Sequence, residues 1–123
     1  RPRGRRGFIN EERVREFMEN HGLEVVAPEK LSLEEQFALF ASARTVVGAH
    51  GAALTNLIFC QPNTHILELA LESRAIQTYE CLAYFCELDY RRILIPTADS
   101  GERTSLSEKT LTQISNWLAA NRL

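Results

Sequence analysis

Short runs of apolar residues, each ended by a glycine, a proline or a polar turn, alternate along this chain with longer segments of helical periodicity. The apolar runs are LEVVA, TVVGA, HILELA and RRILI, at residues 23–27, 45–49, 65–70 and 91–95. Each run is short and largely hydrophobic, which is typical of strands buried on both faces of a parallel sheet. Their alternation with helices predicts a doubly wound, Rossmann-like α/β domain with helices on both faces of the sheet.

The segments between these strands carry signals of helix starts and ends. Asn10 stands where a helix N-cap is expected, before two glutamates that suit the first turn, and Gly22 is a typical helix end. The same signals predict capping boxes at Ser32–Glu35 and Ser105–Glu108, a sharp turn and short helix over 50–59, and a helix over 76–88.

Size and composition exclude several classes of protein. The 123 residues match one domain, and the net charge of −2 argues against a nucleic-acid binder that relies on a broadly basic surface. No stretch approaches the roughly 18 consecutive apolar residues that a membrane span needs. Cys60, Cys81 and Cys86 form no CxxC pair, and no Asn-x-Ser/Thr acceptor occurs, so a reducing compartment is favoured.

The pattern opens on a helix rather than a strand, and the first residue is Arg1. We therefore expect this chain to be a piece of a longer protein, cut close to a strand that belongs to the sheet. A sheet edge exposed in this way would allow two copies to pair, so a homodimer through that edge is a further expectation.

The segment after the second predicted strand is the most informative candidate for a ligand site. Ligands of open α/β sheets bind beyond the carboxyl ends of the strands. Gly51 and Ala52 are small enough for a ligand to approach the backbone, and free N–H groups at the following helix start favour an anion. His50 adds a donor whose charge responds to a phosphate. A tight turn without a ligand is the alternative for Gly51, and a hydrogen bond to a turn carbonyl is the alternative for His50.

Two further groups are expected at strand ends. Glu68 is placed to accept hydrogen bonds from the two vicinal hydroxyls of a ribose, although a solvated surface acid, like nearby Glu72, is the alternative. Arg1 and Arg6 have the fork geometry that suits phosphates, and a solvated chain terminus is their alternative. No His, Cys or Asp group has the spacing of a metal site, so no metal is expected. The absence of GxGxxG weighs against a nicotinamide oxidoreductase.

Three stretches of the chain resemble one known family: INEERV, then EVVAPEKLSLEEQFALFASARTVVGAHGAALTNLIFCQPNTHILEL, then YECLAYFCELDY. The resemblance is to glycosyltransferase family 61, the DUF563-type enzymes, which include bacterial capsular-polysaccharide biosynthesis proteins, plant xylan-decorating transferases and eukaryotic protein O-GlcNAc transferases. It covers roughly residues 1–95. Its most specific parts are the Asn10–Glu11 pair, LS-x-x-EQ-x-x-LF and VVG-x-HGA-x-LTN-L.

The resemblance implies a GT-B architecture, in which two Rossmann-like domains face each other across a cleft. Residues 1–123 would then form the C-terminal domain, which holds the nucleotide sugar. It implies transfer of a hexosyl or pentosyl group from a nucleotide diphosphate, expected to be UDP, to a hydroxyl of a glycan or protein acceptor. Inversion at the anomeric carbon is implied, without a metal or other cofactor. The absent N-terminal domain would carry the acceptor site and the catalytic base, so the fragment alone is expected to be inactive.

Carried over position by position, the resemblance assigns a donor diphosphate set and one ribose ligand. Many family members have glycine where this chain has Ala53 and Asn63, and Ala53 leaves less room beside the turn. The implied diphosphate set is Arg1, Arg6, His50, Gly51, Ala52, Ala53 and Asn56, and Glu68 is the implied ribose ligand.

Two alternatives stay open at this point. The first is a non-catalytic nucleotide-binding or interaction domain of the same fold, since half of an enzyme fold does not prove turnover. The second concerns location: the missing glycosylation sites and unpaired cysteines favour a bacterial, cytoplasmic protein, free or peripheral to a membrane. The lumen of the secretory pathway is the alternative.

Overall fold

The computed structural model of this chain describes residues 11–49, 51–72, 78–96 and 106–121. These residues fall into two compact units, each described here by itself. One unit is drawn from Arg1–Val26 and Ile95–Leu123, and the other is Ala27–Leu94.

The first unit contains two helices, α1 (Glu11–Asn20) and α4 (Glu108–Asn121). Helix α1 buries Phe17 and Met18. It ends as predicted at Gly22, whose φ of 82° lies in the left-handed region. The N–H of Gly22 donates to Glu19 O at 3.0 Å and the N–H of Leu23 donates to Met18 O at 3.0 Å. This pair of bonds is a Schellman motif, which satisfies carbonyls that a helix end otherwise leaves unpaired.

The cap of α4 differs from the prediction. The helix begins at Glu108, and the Oγ of Ser107 accepts from the N–H of Thr110 at 3.1 Å. Ser107 is therefore the N-cap, and Glu108 is the first helical residue rather than the third residue of a box that starts at Ser105. Ser107 directly precedes the first helical residue, so its Oγ reaches the free N–H of the third helical residue, as an N-cap does.

Helix α2 (Leu33–Ser42) confirms the predicted capping box at its start. Ser32 Oγ accepts from the N–H of Glu35 at 3.1 Å, and the N–H of Ser32 donates to Glu35 Oε1 at 2.8 Å. Both donors would otherwise be unpaired at the helix start, so the box fixes where the helix begins.

The second unit is built on a sheet of three parallel strands in the order β1, β2, β3. The strands are β1 (Thr45–Ala49), β2 (His65–Leu71) and β3 (Asp89–Ile95), so the last three predicted strands are confirmed. β1 lies alongside β2 with Thr45 opposite His65 and Gly48 opposite Glu68. The central strand is buried over Ile66–Ala70 without interruption. Both of its faces are therefore covered, which is the burial that a doubly wound sheet requires.

The two connections between these strands cross the sheet in the same direction. The first is a 3₁₀ helix, Ala52–Phe59, and the second contains α3 (Thr78–Phe85). Right-handed crossovers in one direction lie on the same face of a sheet, and α3 contacts the 3₁₀ helix there. The buried core on this face consists of Phe40, Leu54, Leu57, Cys60, Ile66 and Tyr79.

The first predicted strand, residues 23–27, is wrong. These residues have no regular secondary structure, and Val25 is 37% exposed. Both ends of the run are committed to other bonds. The N–H of Leu23 completes the α1 cap, and Ala27 O accepts from the N–H of Lys30 at 3.0 Å to open a short 3₁₀ helix, Pro28–Lys30. An apolar run forms a strand only where its backbone groups are free to pair.

Two residues other than glycine adopt left-handed backbone conformations. Asn63 has a φ of 69°, a backbone conformation that glycine and asparagine adopt more readily than other residues. Glu87 has a φ of 59° at the end of α3. The N–H of Leu88 donates to Ala83 O at 2.9 Å and that of Glu87 to Tyr84 O at 3.2 Å. Glu87 therefore occupies the position of a Schellman motif where glycine is usual.

Candidate functional site

The predicted turn and short helix after β1 are present. β1 ends at Ala49, and a 3₁₀ helix of eight residues begins at Ala52, with Gly51 as its N-cap. The N–H of Leu54 donates to Gly51 O at 3.0 Å. This arrangement puts a helix start directly beyond the carboxyl end of a parallel strand, which is where ligands bind in open α/β sheets.

The two glycines of this segment serve different needs. A Cβ on Gly48 would lie 2.7 Å from Leu54 Cδ2, and Leu54 is only 3% exposed. Gly48 therefore lets the 3₁₀ helix pack closely on β1. Gly51 has a φ of 169°, which is extended backbone open to any residue, and the nearest atom to its Cβ would be Ala49 O at 3.9 Å. Neither the backbone nor the packing of the described chain requires glycine at position 51.

The start of the 3₁₀ helix can bind an anion through backbone N–H groups. In a 3₁₀ helix that begins at Ala52, the N–H groups of Ala52 and Ala53 have no acceptor within the helix. The N–H of Leu54 is already bonded to Gly51 O. The N–H of Leu54 is therefore not one of the free N–H groups that the sequence predicts at this helix start.

Asn56, predicted to contact the diphosphate, is tied to α2. Its Nδ2 donates to Gln36 Oε1 at 2.9 Å, and Gln36 Nε2 donates to Leu31 O at 3.2 Å. This chain of side-chain bonds holds the 3₁₀ helix against α2. The contact of Asn56 with a ligand stays a prediction.

Glu68 lies at the middle of β2, not at its end. It is the fourth residue of a seven-residue strand, and its exposed fraction is 0%. The prediction of a strand end at this residue is wrong because the apolar run continues to Leu71 and the pairing with β1 extends through Ala49 and Leu69. Because side chains alternate along a strand, Glu68 shares the face of Ile66, which carries the core under the 3₁₀ helix.

The carboxylate of Glu68 has a hydrogen-bond partner on β3. The hydroxyl of Tyr90 donates to Glu68 Oε1. Burial, followed by the hydrogen bond to Glu68 and the negative charge of Glu68, raises the pKa of Tyr90 well above its ordinary value. The positive charge of Arg92 opposes this increase in the pKa of Tyr90. Tyr90 therefore stays a neutral hydroxyl donor at any pH at which the protein would be assayed.

The register of β3 explains how these side chains meet. The N–H of Asp89 donates to Thr64 O at 3.0 Å, and His65 Nδ1 lies 2.7 Å from Asp89 Oδ2. Asp89 is thus beside His65. Alternation then puts Tyr90 and Arg92 on the same face of the sheet as Glu68. Gly48, Glu68 and Arg92 form a row across the three strands.

The resemblance matched Tyr90 to a family aromatic with a structural role, and the sequence assigned no role to Arg92. The predicted strand began at residue 91, one residue after Tyr90, whereas β3 begins at Asp89. An acid in one apolar strand and a tyrosine near the next are weak signals, because strand register cannot be read from either segment alone.

Three predicted ligands lie outside the described residues: Arg1, Arg6 and His50. Of Ala52 and Ala53, the structure describes the backbone alone. The predicted N-cap Asn10 and capping residue Ser105 also lie outside the described residues. The assembly of arginines and histidine around the turn stays a prediction.

The other two histidines have partners within the chain. His21 Nδ1 lies 2.8 Å from Phe17 O, and its Nε2 lies 3.1 Å from Ser115 Oγ. His21 therefore contacts a carbonyl near the end of α1 and a side chain of α4. His65 pairs with Asp89 at the amino ends of their strands, which is the opposite edge of the sheet from the turn at Gly51.

Within the part of the chain that the structure describes, no three His, Cys, Asp or Glu residues come together as a metal site would require. No described helix has the length and apolarity needed to cross a membrane.

The family model for glycosyltransferase 61 matches residues 1–67, which include β1, the turn at Gly51 and the start of β2. The chain belongs to glycosyltransferase family 61. The match ends one residue before Glu68.

Two plant proteins are similar to this family 61 chain. A beta-1,2-xylosyltransferase of Oryza sativa subsp. japonica is 30% identical over 66 residues, which cover 54% of this chain and 12% of that protein. A beta-1,2-xylosyltransferase of Arabidopsis thaliana is 31% identical over 84 residues, which cover 68% of this chain and 15% of that protein. The chain thus spans a small part of the length of both relatives. No solved structure matches it with significance.

Proposed function

We propose that this chain is the nucleotide-sugar-binding domain of a glycosyltransferase of GT-B architecture, with a doubly wound sheet. The observation that carries the proposal is Gly51. This chain belongs to a glycosyltransferase family and has Gly51 at a turn between a parallel strand and a helix start. Neither the backbone conformation nor the packing requires glycine there. Close approach of a ligand to the backbone supplies the missing reason.

The ligand that fits this turn is the diphosphate of a UDP-sugar. The N–H groups of Ala52 and Ala53 donate to its oxygens, and His50, Arg1 and Arg6 add positive charge. Donors aimed at the diphosphate stabilise it most when it leaves, because its charge grows as the bond to the sugar breaks. This is the role that a bound metal fills in other transferases.

The proposed reaction is a single in-line displacement at the anomeric carbon. The oxygen of an acceptor hydroxyl on a glycan or protein forms the new bond, and the bond to the diphosphate oxygen breaks with its electron pair. A base outside this chain accepts the proton of the hydroxyl. One displacement inverts the configuration of the sugar.

Glu68 is the proposed ribose ligand. A carboxylate accepts hydrogen bonds from two vicinal hydroxyls, and Glu68 shares its sheet face with the core beneath the 3₁₀ helix. The names of the two relatives make xylose the first sugar to test in the donor.

Calorimetric titration of the full-length protein with UDP, ADP and NAD tests the proposal. We expect saturable binding of UDP, weaker binding of ADP and NAD, and about tenfold weaker UDP binding for His50→Ala, which removes one charge-assisted donor. A donor assay with UDP-xylose, with UDP-glucose as the matched control, then tests turnover. UDP binding without turnover on any donor would favour the non-catalytic alternative, and absence of nucleotide binding would refute the proposal.

A further inference from the structure

Cys60 closes the buried row of the 3₁₀ helix Ala52–Phe59. A 3₁₀ helix has three residues per turn, so Leu54, Leu57 and Cys60 lie in one row, and all three are buried. The N–H of Cys60 donates to Leu57 O at 3.0 Å, which fixes the backbone of the cysteine at the end of this helix. The thiol of Cys60 therefore lies within the core cluster beneath the helix.

Cys86 continues the inward stripe of α3. Residues three and four apart share one side of a helix, so Cys86 lies on the side of Tyr79 and Leu82. Tyr79 belongs to the same core cluster as Cys60, and Leu82 packs against that cluster. The N–H of Cys86 donates to Leu82 O at 3.0 Å. The helical path therefore continues to Cys86, which is partly buried.

The backbone joins the segments that carry these two thiols. The N–H of Asn63 donates to Glu87 O at 2.8 Å, and this bond joins the turn after Cys60 to the residue after Cys86. The negative charge of an ionised Cys86 contributes to the raised pKa of Cys60, an effect that falls with distance. Cys81, by contrast, is exposed on the opposite side of α3. The fold thus brings together two of the three thiols.

We propose that Cys60 and Cys86 form a disulfide in an oxidising environment, which makes this pair a site of covalent modification. The bond would join the end of the 3₁₀ helix to the end of α3, and so link the two connections that cross the sheet. No part of this inference depends on the proposed function. The sequence did not reveal the pair, because its members lie on separate helices with Cys81 between them.

The disulfide of a small thiol, such as oxidised glutathione, is the oxidant. It reaches Cys86 first, since Cys60 is buried. The Cys86 thiolate attacks one sulfur of the small disulfide and displaces one thiolate, and the Cys60 thiolate then attacks Cys86 Sγ and displaces the second. Two protein thiols are thus oxidised to one disulfide, and one small disulfide is reduced to two thiols. The displaced thiolates take up the two protons that the cysteines lose.

Folding should favour this bond strongly. A bond that stabilises the folded state is itself favoured by folding by the same factor, because the two equilibria are linked. Disulfides typically stabilise folded proteins enough for a factor of about 30 or more. We therefore expect the equilibrium constant for oxidation of the pair by glutathione to be at least about thirtyfold larger in the folded protein than in urea.

The test equilibrates the full-length protein with mixtures of reduced and oxidised glutathione, with and without enough urea to unfold it. Equilibrium is approached from the reduced and from the oxidised protein, because the raised pKa of Cys60 slows exchange at neutral pH. After acid quenching, free thiols are blocked with N-ethylmaleimide in denaturant, and mass spectrometry of the digested protein identifies which cysteines are linked.

The sequence allows all three possible links to be told apart. Trypsin cuts after Arg74, between Cys60 and the other two cysteines. Chymotrypsin cuts after Tyr84, between Cys81 and Cys86. Digestion with both enzymes therefore puts each cysteine on a separate peptide.

Cys86→Ser and its matched control, Cys81→Ser, complete the experiment, and both leave the buried thiol of Cys60 in place. In folded Cys86→Ser, Cys60 should stay a free thiol. Cys81→Ser should keep the Cys60–Cys86 link and the thirtyfold factor of the wild type.

Two results would overturn the inference. If the link between Cys60 and Cys86 forms no more readily in the folded protein than in urea, the fold does not hold the two thiols as neighbours. If Cys60 links to Cys81 as readily as to Cys86, or links to Cys81 in folded Cys86→Ser, the fold does not select the pair.

Discussion

Replacing Gly51 by alanine distinguishes a glycine that a ligand needs from one that the chain needs. The φ of 169° at Gly51 suits alanine, and the new Cβ would meet no atom closer than Ala49 O at 3.9 Å. Alanine also reduces the freedom of the unfolded chain, so we expect the free energy of unfolding to be unchanged or to rise by up to about 1 kcal/mol. For a domain of this size the largest rise corresponds to a midpoint higher by about 4 °C.

Binding should respond in the opposite direction. The methyl group of Gly51→Ala would occupy space that the proposed diphosphate needs beside the backbone. We expect UDP to bind at least about tenfold more weakly, which corresponds to about 1.4 kcal/mol. A variant that is as stable as the wild type, or more so, would thus bind its ligand less well.

Gly22→Ala is the matched control, because it makes the same chemical change where the chain itself requires glycine. The φ of 82° at Gly22 is left-handed, so alanine should lower the free energy of unfolding by about 1–2 kcal/mol. Its affinity for UDP should not change. Urea unfolding measures stability and calorimetry measures affinity. Wild-type affinity in Gly51→Ala would refute the close approach of a ligand at this turn, and a loss of stability there would show that the fold requires the glycine.

Three further predictions concern stability and thiol chemistry. Glu87→Gly should raise the free energy of unfolding by about 1 kcal/mol, because glycine adopts the φ of 59° without strain; a lower urea midpoint would contradict this. Burial, and secondarily the charge of Cys86, raises the pKa of Cys60 to about 11, while Cys81 is exposed. A maleimide at pH 8 should therefore label Cys81 and spare Cys60 until the protein unfolds, as peptide mass spectrometry would show. The thiol of Cys60 ionises more readily in the unfolded chain than in the folded protein. The stability gained by keeping this thiol neutral should therefore be complete below its ordinary pKa of 9.0 and be lost as the pH rises through about 11. Urea unfolding of the wild type and of Cys60→Ala across this pH range tests the prediction. Equal losses of stability in the two proteins would refute it.

Features that depend on a few neighbouring residues were predicted best. The capping box joins Ser32 to Glu35, three residues away, and the left-handed end of α1 needs only Gly22. The predicted strands 45–49, 65–70 and 91–95 differ from β1, β2 and β3 by at most two residues at an end. In each case the hydrophobic run and its bounding turn residues lie within one short segment.

Predictions failed where a segment depends on what lies beside it. Residues 23–27 have the composition of a strand, yet the cap of α1 and the following 3₁₀ turn use the backbone groups at both ends. Glu68 was expected at the end of its strand, where ligands of open α/β sheets bind, but the strand continues to Leu71 and the side chain is buried. Its burial becomes acceptable once Tyr90 donates to it.

The sequence by itself determined the order of the helices and of the three strands that form the sheet, the glycine-rich turn after β1 and the family to which the chain belongs. These follow from local periodicity, capping and turn chemistry, and from motifs within continuous stretches. Only the tertiary structure decided that Glu68 is buried beside Gly48 and bonded to Tyr90. Strand register sets those contacts, and register depends on how separate segments pack together, because backbone hydrogen bonds can form in any register and only the fit of the side chains selects one.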